Sequence, residues 1–311
     1  MAIHEIPWQA AFPASCRHGA VTIGNFDGVH RGHAALLGKL KDAAKDVKGP
    51  AVALTFQPHP VCLLHPELCP PALTTLTDRI ERLHAGGADH VLLLRIDLDM
   101  LHLTARDFFE RIIRTKLDPR ILVEGVNFGF GRNREGNIDT LEQLCGQAGI
   151  GFQSVPPLVV DGQAVSSSRV RHALLEGAVA DAAHLLGRPY RLRGHVGTGQ
   201  RRGKTIGFPT ANLERMETLI PGNGVYAVRA EHREKVWPGA ANIGPNPTFG
   251  ENDRKVEAHL IGFQGDLYGE TLAVDFLERL RDTRPFAGAA ELAAQLGLDV
   301  EQARHIAGSM K

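Results

Sequence analysis

The run Val21-Thr22-Ile23-Gly24-Asn25-Phe26-Asp27-Gly28-Val29-His30-Arg31-Gly32-His33 constrains the fold more than any other stretch of the chain. A β-branched segment stops at Gly24, a turn bracketed by glycines follows, and Ala34 to Val47 has helical periodicity. This is a strand–loop–helix entry, in which the helix start offers unsatisfied N–H groups and a partial positive charge to an anion. Gly28 and Gly32 carry no Cβ, so the backbone there can approach a ligand closely. His30 and His33 stand three apart at the helix start, so both rings can face one ligand. Two imidazoles in that place suit negative charge that grows on a phosphate in a transition state.

The surrounding pattern repeats the same unit. Continuous apolar strands are expected over 20–24, Ala51 to Phe56, Val91 to Arg95, Arg120 to Glu124 and Gly151 to Val155. Between them, helical periodicity covers 34–47, Thr77 to Ala85 (capped by Thr77 or Asp78), Ala105 to Lys116 and Ile138 to Ala148. Such strands belong in a parallel sheet covered on both faces, a doubly wound α/β domain. Ligands bind beyond the strand C-termini in these sheets, which collects the Gly24 turn, the Gln57 loop and the Gly125 loop on one edge. The Gly125–Gly136 loop alternates aromatics with glycine and carries Arg132 and Arg134. Asn127, Phe128 and Phe130 there can meet a flat ring, although phenylalanines anchored in the core are the commoner case.

A serine run, Ser166-Ser167-Ser168, opens a helix that ends at Gly177, and a short helix covers Val179 to Leu186. Gly187-Arg188-Pro189 then reads as a domain boundary, giving domains 1–187 and 188–311. Between Arg188 and Leu213 there are six basic residues and no acidic one. The ending Gly203-Lys204-Thr205 invites a P-loop, but that motif needs glycine at 198, where Thr198 stands, and Pro209 follows instead of a helix. Gly197, Gly203 and Lys204 still suit a flap over phosphates. Thr210 and Asn212 alternate with Ala211, so both oxygens face one side of an extended chain and suit a hard cation such as Mg²⁺. Short strands at Gly224–Val228, Ala240–Gly244 and Val256–Leu260, with turns between, imply a small antiparallel β-barrel, and Ala289 to Ala307 a terminal helix.

Composition sets the outer bounds. A chain of 311 residues with 43% hydrophobic and 23% charged content suits two soluble domains. Net charge is zero, so nothing global points to nucleic acid or an anionic membrane. His90-Val91-Leu92-Leu93-Leu94 is cut off by Arg95, far short of a membrane span, and Met1 to Arg17 lacks a signal-peptide core. Cys16, Cys62, Cys69 and Cys145 form no Cys-x-x-Cys pair and are expected as reduced thiols of a cytoplasmic protein. His59, Cys62, His65 and Cys69 offer zinc-type side chains, but five prolines and an unfamiliar spacing favour a stiffened loop.

The Gly24–His33 run resembles the nucleotidyltransferase signature of the bacterial bifunctional riboflavin kinase/FMN adenylyltransferases, or FAD synthetases, members of the His-x-Gly-His superfamily. Ser166-Ser167-Ser168-Arg169-Val170-Arg171 is similar to that family's second signature, and the Gly125 loop to its Gly-x-Asp-Phe-x-Phe-Gly segment, with Asn127 where Asp is usual. Gly207-Phe208-Pro209-Thr210-Ala211-Asn212 resembles the Pro-Thr-Ala-Asn signature of riboflavin kinases. Asn242-Ile243-Gly244, Pro247-Thr248-Phe249, Glu257-Ala258-His259 and Asp266-Leu267-Tyr268-Gly269 resemble the remaining kinase motifs in order. The resemblance implies riboflavin phosphorylation by Mg-ATP to FMN, then adenylylation of FMN to FAD and pyrophosphate. It implies that Gly24, Asn25, Phe26, Asp27, Gly28, His30, His33, Ser167, Ser168 and Arg171 serve adenylyl transfer. Thr210 and Asn212 would hold Mg²⁺, Glu257 would act as general base, and Phe128, Phe130 and Phe249 would touch the flavin. Expected partners are small molecules, with no nucleic acid and no membrane, and homo-oligomerisation is left open. Two alternatives stay open: a single live activity, or a flavin-binding sensor without turnover.

Overall fold

The computed structural model describes residues 2–198, 207–246 and 251–309. It divides into two compact units, Met1–Val165 and Ser166–Lys311.

The first unit holds six parallel strands: β1 (Ala2–Pro7), β2 (Ala20–Ile23), β3 (Ala51–Gln57), β4 (His90–Arg95), β5 (Ile121–Gly125) and β6 (Gly151–Val155). Their order is β1-β4-β3-β2-β5-β6, so the connections run one way from β2 and the other way from β5. The crevice beyond the C-termini of β2 and β5 is therefore the topological switch point. Five strands fall where the sequence places them. The sixth, β1, adds an edge strand in register with β4 (Ala2↔His90, Pro7↔Arg95); His4 and Glu5 interrupt its apolar run, so nothing local announces it.

Helices α1 (Arg31–Asp46), α2 (Pro60–Leu64), α3 (Leu76–Ala85), α4 (Leu98–Leu101), α5 (Ala105–Phe108) and α6 (Ile138–Ala148) connect the strands. Successive strand residues point to opposite faces, and both faces are covered. Val21, Ile23, Leu54 and Leu92 pack with Phe109, Ile112 and Ile113 on one side. Ala20, Ala53, Val91 and Val123 meet Leu37 and Leu40 of α1 and Leu83 of α3 on the other. The helix expected over 105–116 continues past α5 as a π-wound segment, Phe109–Leu117. Helix α3 is capped by Thr75, whose hydroxyl accepts from the Asp78 N–H, and not by Thr77 or Asp78. Cys62 and Cys69 are joined in a disulfide, which corrects the expectation of four reduced thiols; Cys16 and Cys145 are free and buried. Helix α2 and a 3-10 turn at Pro66–Leu68 bring the two Cα atoms to 4.4 Å, a fold-back that seven residues of sequence separation does not advertise. A small hairpin, β7 (Val159–Val160) with β8 (Gln163–Ala164), closes the unit.

The second unit begins with α7 (Ser167–Leu175) and α8 (Val179–Leu186). Six antiparallel strands follow: β9 (Tyr190–Gly197), β10 (Ala211–Glu214), β11 (Gly224–His232), β12 (Lys235–Asn246), β13 (Glu251–Leu260) and β14 (Thr271–Arg281). They close as a barrel in the order β10-β13-β12-β11-β14-β9. Alternate residues fill it, among them Leu192, Leu213, Val228, Ala241, Val256 and Phe276, none more than 4% exposed. Helix α9 (Ala289–Ser309) lies outside, with Val300, Ala303 and Ile306 against Ala227, Ala240 and Leu277. Gly187-Arg188-Pro189, the expected boundary, is where helix gives way to barrel. Because α8 packs on β9 and β14, α7 and α8 group with the barrel, not with the sheet.

Candidate active sites

The loop after β2 is held in an uncommon conformation. Phe26 (φ 48°), Gly28 (φ 81°) and Val29 (φ 39°) all have left-handed backbones. A β-branched residue at positive φ is costly and persists only where the surroundings impose it. Here the imposing contacts are visible. The Gly24 N–H donates to the Leu54 carbonyl at 3.0 Å, and the Thr55 hydroxyl donates to the Asn25 carbonyl at 3.1 Å. Asp27, 4% exposed, accepts from the Leu73 N–H at 3.0 and 3.1 Å and from the Thr74 N–H at 3.3 Å. The Thr74 hydroxyl accepts in turn from the Gly28 N–H at 3.3 Å. Asp27 thus braces the loop through the segment before α3. Sequence reasoning gave it to the nucleotide, and the Leu73-Thr74 backbone contact could not be read from spacing.

Helix α1 starts at Arg31, three residues before the expected Ala34, because His30 caps it: its ring Nδ1 accepts from the His33 N–H at 3.3 Å. Histidine is outside the usual N-cap set, which is why the start was missed. The cap fixes the tautomer, leaving the proton on Nε2. The two rings stack at 3.7 Å with 14° between planes, and the edge of Phe26 meets His33 at 5.3 Å. Gly32 makes room: a Cβ there would come within 3.2 Å of the His30 ring. Burial holds the His33 pKa well below its usual value, and His30 and then Arg79 add to the effect. His33 is therefore neutral near neutral pH.

Arg79 of α3 is a site residue that the sequence did not flag. It is 8% exposed, and its charge acts on both Asp27 and His33. Its Nε, like the Nδ1 of His33, is buried with no hydrogen-bond partner among the described residues. An orphaned guanidinium N–H and an orphaned imidazole nitrogen beside a helix N-terminus fit an anionic ligand. His59, expected in a proline-stiffened loop and not as a zinc ligand, also reaches this site: its Nδ1 accepts from the Val61 N–H at 3.2 Å and its Nε2 meets the Asn25 amide at 3.0 Å. Its sulfur neighbours are consumed in the disulfide.

In the Gly125 loop the two phenylalanines divide. Phe130, 5% exposed, sits in the core against Phe108, while half-buried Phe128 stacks on it at 5.5 Å. The expectation that Phe130 touches a flavin does not match that burial; apolar packing fixes it as an anchor. Asn127 is exposed, and its carbonyl accepts from Arg134 at 3.2 Å. Within the second unit, Ser166 caps α7 by accepting from the Arg169 N–H, which leaves Ser167 and Ser168 as the first helical residues and Arg171 one turn on.

On the barrel, pairing brings polar residues into one row. Asn212 of β10 lies opposite Gly197 of β9 on one side and Glu257 of β13 on the other, and Glu257 lies opposite Asn242 of β12. Their neighbours Ala211, Val256 and Ala241 fill the barrel, so Asn212, Glu257 and Asn242 share its outer face. Thr210 stands just before β10 and lines a cavity of about 540 Å³ with Ala211, Leu260, Phe263, Asp266 and Tyr268. Asn212 and Glu257 are not among the residues lining that cavity. His259, two residues beyond Glu257, donates from Nδ1 to the Pro209 carbonyl at 2.7 Å and holds the segment leading to Thr210. Gly203, Lys204 and Phe249 lie outside the described residues.

Comparison with known proteins agrees with both halves. Residues 13–169 match the FAD synthetase family and residues 186–307 the riboflavin kinase family. The chain is 37% identical over 287 residues to a bifunctional riboflavin kinase/FMN adenylyltransferase of Pseudomonas fluorescens, covering 92% of each chain. It is 37% identical over 292 residues to the Escherichia coli (strain K12) protein of the same name, covering 94% of this chain and 93% of that one. A crystal structure described as a macrolide-efflux protein from Streptococcus pneumoniae is similar over 96% of this chain and 98% of its own, with TM-score 0.87 and 32% identity. No described helix of this chain is long and apolar enough to cross a membrane.

Proposed function

The chain belongs to the bifunctional riboflavin kinase/FMN adenylyltransferase family and makes FAD from riboflavin, and from that premise we propose how its residues divide the two reactions. The barrel transfers the γ-phosphoryl group of ATP to the primary hydroxyl of riboflavin. Glu257 orients that hydroxyl and takes its proton, and Asn212 and Asn242 flank the carboxylate. Thr210 and Asn212 offer a hydroxyl and an amide oxygen beside a carboxylate, a donor set that fits Mg²⁺. The ion, when bound, neutralises charge on the ATP phosphates.

The sheet unit then joins FMN to AMP from a second ATP, releasing pyrophosphate. The FMN phosphate oxygen attacks the α-phosphorus as the bond to pyrophosphate breaks. His30, with its proton on Nε2, and His33 at the head of α1 stabilise the negative charge that builds up there. Arg79 adds positive potential close to His33. The family resemblance alone assigns the departing pyrophosphate to Ser167, Ser168 and Arg171, which head α7 in the second unit, and Asn127 with Phe128 meets the flavin end of FMN. Reaction with soluble substrates suits a cytoplasmic enzyme.

One observation supports the adenylyl-transfer assignment above others: two stacked imidazoles at a helix N-terminus, set at the switch point of a parallel sheet. The test is His30→Ala/His33→Ala, supplied with riboflavin, ATP and Mg²⁺, with the flavins separated afterwards. FMN should accumulate while FAD falls by at least about 10²-fold, the scale of losing a transition-state charge stabiliser. Undiminished FAD would remove the histidines from the reaction.

A further inference from the structure

We propose that His4, Cys16 and His90 form an ion site for a thiol-binding divalent metal of the zinc type, at the end of the sheet opposite the catalytic loop. The Gly24 turn leaves the C-terminal end of β2. His90 is the first residue of β4, His4 lies on β1 opposite Leu92, and Cys16 ends the 3-10 turn Ala14–Cys16 that precedes β2. In a parallel sheet these positions gather at the N-terminal edge, where neither reaction places a group.

One ligand atom from each residue lies within 4.8 Å of the other two, the only such His/Cys/Asp/Glu group of three among the described residues. Nε2 of His4 is 3.4 Å from Nδ1 of His90. Two imidazoles on one tetrahedral zinc, with Zn–N near 2.0–2.1 Å, hold their nitrogens about 3.3–3.4 Å apart. The planes of the rings differ by 32° with centroids 5.5 Å apart, so the nitrogens converge without the rings stacking. Cys16 is fully buried and His4 and His90 are half-buried, which leaves the fourth position to water. Two nitrogens and one sulfur suit zinc or cobalt and exclude the hard-ion preference of Mg²⁺.

Metal binding would release the thiol proton and form the S–metal bond without any redox change. The ion would join edge strand β1, strand β4 and the segment entering β2. A plain His4–His90 hydrogen bond over a core cysteine is the competing account, and it predicts no metal.

The full chain, treated with chelator and desalted, is titrated with Co²⁺ and its absorption followed. One equivalent should give tetrahedral cobalt bands and a thiolate-to-cobalt charge-transfer band. Cys16→Ser should abolish the charge-transfer band, and His4→Gln and His90→Gln should each weaken binding by at least about tenfold. Zinc should displace the cobalt and raise the melting temperature of the parent chain more than that of His4→Gln. None of these residues serves either reaction, so FMN and FAD production reports that each variant is folded. Absence of a thiolate band in the parent chain, or its persistence in Cys16→Ser, would overturn the site. If Cys16→Ser fails to fold, unchanged cobalt affinity in His4→Gln and His90→Gln overturns it equally.

Discussion

Gly32 shows how one absent methyl group serves a reaction. A Cβ at that position would press on the His30 ring at 3.2 Å, while alanine is favoured over glycine within a helix by roughly 1 kcal/mol. Gly32→Ala should therefore keep or raise the melting temperature and lower FAD formation from FMN, with FMN formation from riboflavin unchanged. Glu124 makes the opposite case, a buried acid beneath the site. It is 1% exposed, and its Oε1 accepts from the Ile23 N–H at 2.7 Å. Burial raises its pKa well above 4.5, outweighing the hydrogen bonds from Ile23 and Thr22. The folded chain then holds a proton that the unfolded chain has lost. Stability falls as pH rises from 4.5 through the raised value, and the full loss is reached above it. Glu124→Gln keeps the acceptor and removes the titration, so its urea midpoint should gain on the parent chain as pH climbs through that window. His33 works at the other end. Its depressed value means the unfolded chain takes the proton first, so stability falls as pH drops below 6.5 toward the folded value.

At the scale of elements, α9 is fastened to the barrel by a buried ion pair as well as by apolar packing. Arg281 of β14 donates to Asp299 at 3.0, 3.2 and 2.7 Å, and Asp299, 2% exposed, also accepts from Gln295 at 2.9 Å. Removing one partner strands a buried charge, at a cost of about 3–5 kcal/mol, whereas removing both can be close to neutral. Arg281→Met should lower barrel stability by that amount, and Arg281→Met/Asp299→Leu should recover most of it. Trp237 lies in the barrel and Trp8 in the sheet unit, so denaturant unfolding followed by fluorescence in a Trp8→Phe background reads the barrel alone. The elements also mark where sequence patterns stop. Continuous apolar strands such as Ala51–Gln57 and the periodic helix Ile138–Ala148 are visible locally because burial repeats at the period of the element. The start of α1, the cap of α3 and the π-winding after α5 were not, because each is set by a side chain reaching a backbone group or by packing after the helix forms.

At the scale of the whole molecule, two reactions on one chain make a prediction neither site makes alone. Glu257→Ala should form no FMN from riboflavin yet convert added FMN to FAD. Mixed with His30→Ala/His33→Ala in riboflavin, ATP and Mg²⁺, it should restore FAD, because FMN released by one variant can diffuse to the other; failure to restore would mean that FMN is not released. Sequence alone determined the two-part architecture, the four apolar-periodic strands and helices flanking the Gly24 and Gly125 loops, and the family, since each rests on residues contiguous in the chain. Only tertiary structure decided that β1 pairs with β4, that Asp27 braces Leu73 and Thr74, that Arg79 and His59 enter the first site, that Phe130 is core, and that Asn212, Glu257 and Asn242 form one row. Those contacts join residues far apart in the chain, and a linear pattern records the burial of each partner but not which partner it meets.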